Sequence, residues 1–403
     1  MTVPTPDTQA RLKTLLQSVR ASNPFYRAKL SDVGDRLTEL PFTTKAELAA
    51  DQQSHPPYGT NLTEPREHYC RIHQTSGTST GQPLRWLDTP QSWDNLLYCW
   101  QISFPIMGLT RQDRIFFPFS FGPFLGFWTA FEAATRAGFF CVPGGGMTST
   151  ARLRFLLEHE CTIVFATPTY ALHLAELAAK EGIDLAASPV RGVVVAGEPG
   201  GSIAATRQRI EQVWGARVFD HYGMTEIGPV AVEAVDTPRC LTLLTSEYIV
   251  EVLEPETNHE AKVGEAGELV LTTLGRTASP LIRYRTGDLV RLNTAGQLDG
   301  GILGRADDML HVRGNNLYPA ALEAIIRRYR EVAEYRIVVD HTGPLPDLEI
   351  ELETASATVA DDVARAIRDE LLFRVAVSTV SAGTLPRFEM KAKRVVHRGK
   401  ADS

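Results

Sequence analysis

Ten residues early in the chain carry the densest chemistry: Gln74-Thr75-Ser76-Gly77-Thr78-Ser79-Thr80-Gly81-Gln82-Pro83. Hydroxyls and glycines in this density make a poor helix or strand. They make a good cradle for a polyanion, because glycine lets the backbone approach a phosphate and successive N–H groups converge on its oxygens. Thr75, Ser76, Thr78, Ser79 and Thr80 add donors without bulk. A plain polar loop is the competing reading. The stretch is not a GxxxxGK[ST] loop, since its glycines are one residue too close and no lysine follows. Downstream, Tyr222-Gly223-Met224-Thr225-Glu226 closes an expected strand. It offers a flat ring for a base, a hydroxyl for a phosphate and, in Glu226, a hard oxygen ligand for Mg²⁺. Tyr284-Arg285-Thr286-Gly287-Asp288-Leu289 places one carboxylate after a turn, at a strand start, where it could accept from both hydroxyls of a ribose. Gly304-Arg305-Ala306-Asp307-Asp308-Met309 follows, and Lys391 comes after a turn in the tail. Taken singly, turn chemistry accounts for the first two stretches and solvation for the tail lysine.

Helix and strand alternate in the region that must position these groups. Strands over 113–118, 139–142, 163–166, 192–196 and 217–222 are separated by helical patterns over 127–137, 150–159, 169–180 and 202–214. This rhythm predicts a mostly parallel sheet flanked by helices, with ligands beyond the carboxyl ends of its strands. Gly144–Gly146, Gly197–Pro199 and Tyr222–Glu226 then share one rim. Earlier, 8–30 reads as an amphipathic helix broken at Asn23-Pro24, Thr43 or Thr44 caps a helix, and 96–107 is an apolar helix. Phe119–Phe131 is dense in rings and glycines, which either pack the core or wall an apolar pocket. Between about 240 and 300 the pattern turns to strands, giving a small β subdomain. From about 305 it becomes a small α+β unit. The expected division is 1–304 and 305–403.

At 403 residues the chain has room for a large core and a second domain. Its 41 basic and 48 acidic side chains leave a net charge of −7, which does not favour nucleic acid or an anionic membrane as partner. Five scattered cysteines show no CxxC or Cys/His spacing, so neither a disulfide framework nor a zinc site is expected. No apolar run reaches the roughly 18 residues that span a bilayer. The N-terminus carries no signal core, so cytoplasm is the expectation.

Together and in this order, the hydroxyl/Gly stretch, YGMTE, YRTGDL, GRADDM and a late lysine resemble the adenylate-forming (ANL) superfamily. Asn23-Pro24-Phe25-Tyr26-Arg27, Leu40-Pro41-Phe42-Thr43-Thr44-Lys45, Gly197-Glu198-Pro199 and Gly314-Asn315-Asn316-Leu317-Tyr318-Pro319 narrow the resemblance to the phenylacetate-CoA ligase branch. It covers about residues 11–398. The resemblance implies a large adenylation domain and a small mobile domain. It also implies two half-reactions: ATP and a carboxylic acid give an acyl-adenylate, then a thiol, usually coenzyme A, displaces AMP. A carrier-protein thiol, another acceptor or a different oxyanion is the alternative, and relatives suggest a homodimer.

The implied roles follow residue by residue. Thr75, Ser76, Gly77, Thr78, Ser79, Thr80 and Gly81 would hold the β- and γ-phosphates, Thr225 the α-phosphate and Glu226 the Mg²⁺. Tyr222 would stack on adenine, with Gly197, Glu198, Pro199, Asp220, His221, Gly223, Met224 and Arg305 around the AMP and Asp288 on the ribose. Lys391 would bridge carboxylate and α-phosphate. Asp307 would be the hinge, and Asp308–Gly314, with His311, would line the thiol channel. Phe121, Gly122, Phe124, Gly145, Met224 and Pro229 would form the acyl pocket, whose rings suggest an aryl or arylacetic acid. His221 and His73 are either contacts to a ring substituent or core histidines. Two departures stand out: Gly81-Gln82-Pro83-Leu84 lacks a loop lysine that Arg85 could replace, and Phe388-Glu389-Met390 precedes Lys391 where Ser or Thr and Gly are usual.

Overall fold

The computed structural model describes residues 5–75, 83–306, 308–313, 315–343, 346–388 and 392–399. Helices α1 (Pro6–Ser22) and α2 (Pro24–Lys29) meet at the expected Asn23-Pro24 break, where the Asn23 side chain accepts the Tyr26 N–H and caps the second helix. Helix α3 (Lys45–Ser54) is capped by Thr44 in a capping box with Glu47, while Thr43 is buried and donates to the Ile282 carbonyl. Strands β1 (Arg71–Gln74) and β2 (Arg85–Asp88) pair antiparallel with Gln74 opposite Arg85. They bracket the hydroxyl/Gly stretch, of which 76–82 lie outside the described residues. The apolar helix α4 (Pro90–Ile106) starts earlier than its hydrophobic run, because Thr89 caps it and Pro90 suits the first turn.

The alternation then unfolds as β3 (Arg114–Phe117), α5 (Trp128–Arg136), β4 (Phe140–Pro143), α6 (Ser149–Glu158), β5 (Ile163–Ala166), α7 (Pro168–Lys180), β6 (Gly192–Val195), α8 (Ala204–Trp214) and β7 (Arg217–Met224). Strands β8 (Gly228–Ala234) and β9 (Thr237–Leu243) come next, before β10 (Tyr248–Leu253), β11 (Ala266–Thr273), β12 (Tyr284–Arg291), β13 (Leu298–Asp299) and β14 (Gly304–Arg305). The main sheet has the order β13-β9-β8-β7-β6-β5-β3-β4. It is parallel from β4 to β7 and antiparallel beyond β7. The sheet is therefore mixed: the hairpin after YGMTE folds back as β8, which the helix–strand rhythm did not reveal. Chain order reverses between β3 and β5, the kind of switch point where ligands bind such sheets. The ring-rich segment 119–131 leaves β3 there.

Strands β10, β11, β12 and β14 form a separate antiparallel sheet. Asp288 does not start a strand after a turn, as expected. It lies within β12, where Gly287 at φ +75° and a register shift opposite Glu268–Val270 make the local irregularity.

Beyond this sheet come the hairpin β15 (Leu310–Val312) and β16 (Asn315–Leu317), then α9 (Pro319–Ile326), β17 (Glu334–Asp340), β18 (Asp347–Glu353), α10 (Ala357–Leu371), β19 (Ala376–Val380) and β20 (Val395–Arg398). The last four strands make a sheet in the order β19-β18-β17-β20. This unit buries its own apolar cluster, from Leu310 to Phe373. Among the described residues, no helix is long and apolar enough to cross a membrane.

Candidate nucleotide and acyl site

Strand β7 carries the centre of the site, and alternation along it sends neighbours to opposite faces. On one face, the Tyr222 hydroxyl donates to Asp288 Oδ2 at 2.6 Å, and the Arg305 guanidinium donates to Asp288 Oδ1 at 3.1 Å. The structure thus brings Tyr222, Asp288 and Arg305 together from three strands. Burial, helped by the neighbouring carboxylate, pushes the Tyr222 phenol well above its usual range, so it stays a donor. Glu226 is buried in the β7–β8 turn and accepts the Tyr284 hydroxyl on Oε1 at 2.9 Å. Burial and Glu226 likewise raise the Tyr284 phenol.

Asp220 shares the Tyr222 face and accepts from the Ser202 hydroxyl. Burial raises its carboxyl to about 7, against the lowering effect of the Ser202 bond. A Cβ on Gly201 would sit 2.5 Å from Asp220 Cγ, so only glycine lets the backbone pass this carboxylate.

The YGMTE turn is anchored by residues that no motif singled out. Arg276 donates to the Thr225 carbonyl at 2.7 Å and forms a bidentate pair with Asp88 at 2.7 and 2.6 Å. Both partners of that pair are excluded from solvent. Asp88 ends β2, the strand that leaves the hydroxyl/Gly stretch, so this pair ties that stretch to Glu226. Tyr284 stood inside a quoted motif without a role, whereas Asp88 and Arg276 gave no local signal.

The other predicted contacts divide. Thr75 is buried, and its hydroxyl oxygen accepts the Leu84 N–H at 2.9 Å, closing the β1–β2 hairpin. Arg85 donates to the Pro57 carbonyl at 2.9 Å, an engagement apart from the role of replacement lysine. Glu198 accepts backbone N–H groups from Thr169 and Ala392, both at 2.8 Å. Gly197 has φ +93° in the same turn, and Pro199 is exposed beside it. His311 is exposed on β15. Ser76–Gly81, Asp307, Gly314 and Lys391 lie outside the described residues.

His221 faces away from Tyr222. Its ring stacks on Trp100 with centroids 4.2 Å apart, and neither ring nitrogen has a hydrogen-bond partner among the described residues. Burial lowers its pKa to about 3, so the imidazole is neutral. His73 stacks on Trp93 at 5.2 Å and is lowered to about 4, chiefly by burial. Trp93 and Trp100 lie two turns apart on the same side of α4.

A chain of ring contacts runs from Trp100 through Phe165, Phe117 and Phe119 to Phe121. Phe121 also packs on Trp128, whose indole N–H donates to the Gly122 carbonyl at 3.0 Å. A side chain built on Gly122 would meet nothing within 4 Å, whereas at Gly145 it would touch the Phe119 carbonyl at 3.4 Å. Phe121, Gly122 and Gly145 thus share one end of the ring cluster, and Phe124 is half-buried in the same loop. Met224 and Pro229 belong to the β7–β8 hairpin. The Gln74 N–H donates to the Pro123 carbonyl at 2.8 Å, fastening this loop to the strand that enters the hydroxyl/Gly stretch. Polar groups thus gather on one face of β7 and stacked rings on the other.

Comparison with known proteins finds relatives over nearly the whole chain. The AMP-binding enzyme profile covers residues 9–276, and the profile of the AMP-binding enzyme C-terminal domain covers 314–398. The chain is 32% identical to the phenylacetate-coenzyme A ligase of Escherichia coli (strain K12), over 96% of its length and 92% of that enzyme. Among solved structures it resembles 2-hydroxyisobutyryl-CoA ligase in the postadenylation state with 2-HIB-AMP, at TM-score 0.90 and 26% identity, covering 99% of this chain and 91% of that one. The same ligase with 2-HIB-AMP and CoA in the thioesterification state gives TM-score 0.71 at 27% identity, covering 97% and 88%.

Proposed function

The chain belongs to the AMP-binding enzyme family, in its phenylacetate-CoA ligase-like branch, and from that premise we propose that it activates an aromatic carboxylic acid with ATP and passes the acyl group to coenzyme A. In the first half-reaction a carboxylate oxygen attacks the α-phosphorus as the bond to pyrophosphate breaks. In the second, a thiol sulfur attacks the acyl carbon, gives up its proton and releases AMP. Two anions meet in the first step, so the site must neutralise charge and hold both in line.

The observation that carries this reading is the pairing of two carboxylates with two buried phenols, Asp288 with Tyr222 and Glu226 with Tyr284, beside the hairpin of the hydroxyl/Gly stretch. Asp288, oriented by Tyr222 and Arg305, would receive the ribose. Tyr222 would stack on adenine, with Gly197, Pro199 and Asp220 around the nucleotide. Thr225 and the 75–81 stretch would hold phosphates, and Lys391 would join carboxylate to α-phosphate. Glu226 fits Mg²⁺, which binds proteins through one or two carboxylates and takes other ligands from phosphates and water. When bound, Mg²⁺ would offset charge on the phosphate oxygens. The acyl end would lie along Phe121, Gly122, Phe124, Gly145, Met224 and Pro229.

Residues 1–304 and 305–403 would act as two domains with Asp307 as hinge and His311 and Gly314 beside the thiol. Cytoplasm is the proposed location. The test is pyrophosphate exchange over a panel of aryl, arylacetic and aliphatic acids, followed by product mass spectrometry with coenzyme A. An aryl acid should support exchange and yield its acyl-CoA. Exchange without an acyl-CoA would instead indicate another acceptor, such as a carrier-protein thiol.

A further inference from the structure

The tail that follows Lys391 meets the large domain at Glu198 and at Thr169, whose N–H Glu198 accepts. Glu198 stands in the turn after β6, at the N-terminus of α7. Its Oε1 accepts the Thr169 N–H at 2.8 Å, one of the first-turn amides that lack a partner inside a helix. The helix end favours a carboxylate there and fixes its orientation. Glu198 Oε2 accepts the Ala392 N–H at 2.8 Å, from the small domain. Thr169 is used twice, because its hydroxyl accepts from Arg394 at 3.0 Å. Arg394 is itself held by Glu334, at 2.8 and 3.1 Å.

Close by, Arg209 of α8 donates to the Val332 carbonyl of the small domain at 3.4 Å. A cleft of about 650 Å³ opens between α8 and α9, lined on one side by Gln208 and Gln212 and on the other by Ala320 and Ala324. Arg387 and Glu176 form a looser ion pair across the domains at 3.9 Å. The whole-chain likeness is higher to the postadenylation state of the 2-hydroxyisobutyryl-CoA ligase than to its thioesterification state, so these contacts belong to an arrangement of the former kind.

We propose that Glu198 is a positioning residue: a latch on the Ala392 amide that sets the preceding Lys391 for acyl-adenylate formation and releases it for thioester formation. The inference rests on the adenylating function proposed above, and assigns Glu198 to the tail and not to adenine. A carboxylate is required because two N–H donors must each find an acceptor. A glutamine has one carbonyl oxygen for two donors and turns its NH₂ towards the other.

The experiment compares Glu198→Gln and Glu198→Ala with the full-length wild type in both half-reactions. Each variant should lower kcat for acid-dependent pyrophosphate exchange about tenfold or more, the effect of losing a charge-assisted hydrogen bond. The KM for ATP should not change, nor should thioester formation from supplied acyl-adenylate. Equal loss in both half-reactions, or a raised ATP KM at unchanged kcat, would overturn the latch. A dye pair on the exposed faces of α8 and α10, read by energy transfer without substrates, gives an independent measure. Glu198→Gln should lengthen the mean separation, and an unchanged separation would overturn the proposal. If no acid supports exchange in the wild type, the adenylating reading fails, while energy transfer still decides whether Glu198 holds the tail.

Discussion

The two faces of β7 are built by different physics. The face with Asp220 and Tyr222 is polar and tightly specified: each carboxylate has a named donor, and the donors come from β7, β12, β14 and the loop before α8. The face with Phe219 and His221 rests on stacked rings, with His221 nitrogens that have no hydrogen-bond partner among the described residues and open space at Gly122. Hydrogen bonds impose direction and distance, so the polar face suits one nucleotide in one pose. Ring packing is less directional and tolerates change of shape. On the proposed function, the polar face would set the reaction class and the aromatic face which acid is taken.

The sharpest way to break this contrast is to remove Glu226, the proposed Mg²⁺ ligand on the polar side. Glu226→Ala should cut pyrophosphate exchange about 10²–10³-fold for every acid in the panel alike. A loss confined to particular acids would erase the distinction between the faces.

Stability provides the next test. Arg276→Met leaves Asp88 buried without its partner and should destabilise by about 3–5 kcal/mol in urea unfolding. The double variant Arg276→Met with Asp88→Leu should recover much of that loss, and failure to recover would show that the pair does more than neutralise charge.

On the aromatic side the effect should be smaller and selective. Gly122→Leu fills open space, so it should change kcat/KM for bulky relative to small aryl acids by about 10–100-fold while leaving the KM for ATP unaltered. A uniform fall across the panel would argue that Gly122 lies off the acid's path.

The smallest effect concerns acid. His221 has its usual 6.5 lowered to about 3 by burial, so below 6.5 the unfolded chain binds a proton that the native chain does not. The stabilisation is therefore complete above pH 6.5 and is lost as pH falls towards about 3. His221→Phe keeps a ring against Trp100 and should flatten the fall of the urea midpoint across that window. Identical slopes would place His221 outside the buried cluster.

Much of the framework was legible because it is locally encoded. The 163–166 strand appears over the residues that its apolar pattern marks, and Asn23-Pro24 divides two helices where proline chemistry requires. The antiparallel return of β8 was not legible. Its burial depends on β7 and β9, and Gly228–Ala234 alternates too little to announce an edge between them. The motif around Asp288 read as turn-then-strand because Thr286 and Gly287 carry turn chemistry, yet cross-strand bonding holds them inside β12.

The sequence alone determined the inventory and its order: a phosphate-cradle composition, a Glu after a strand, an Asp after YRTG and a late lysine, which together specify adenylate chemistry. Residue type and spacing along the chain suffice for this, since they set local conformation and available donors. Tertiary structure decided which groups serve one another. The Asp88–Arg276 pair spans 188 positions and the bond from Ala392 to Glu198 spans 194. Such bonds depend on sheet register and on how one domain meets another, and only the folded chain brings those partners within reach.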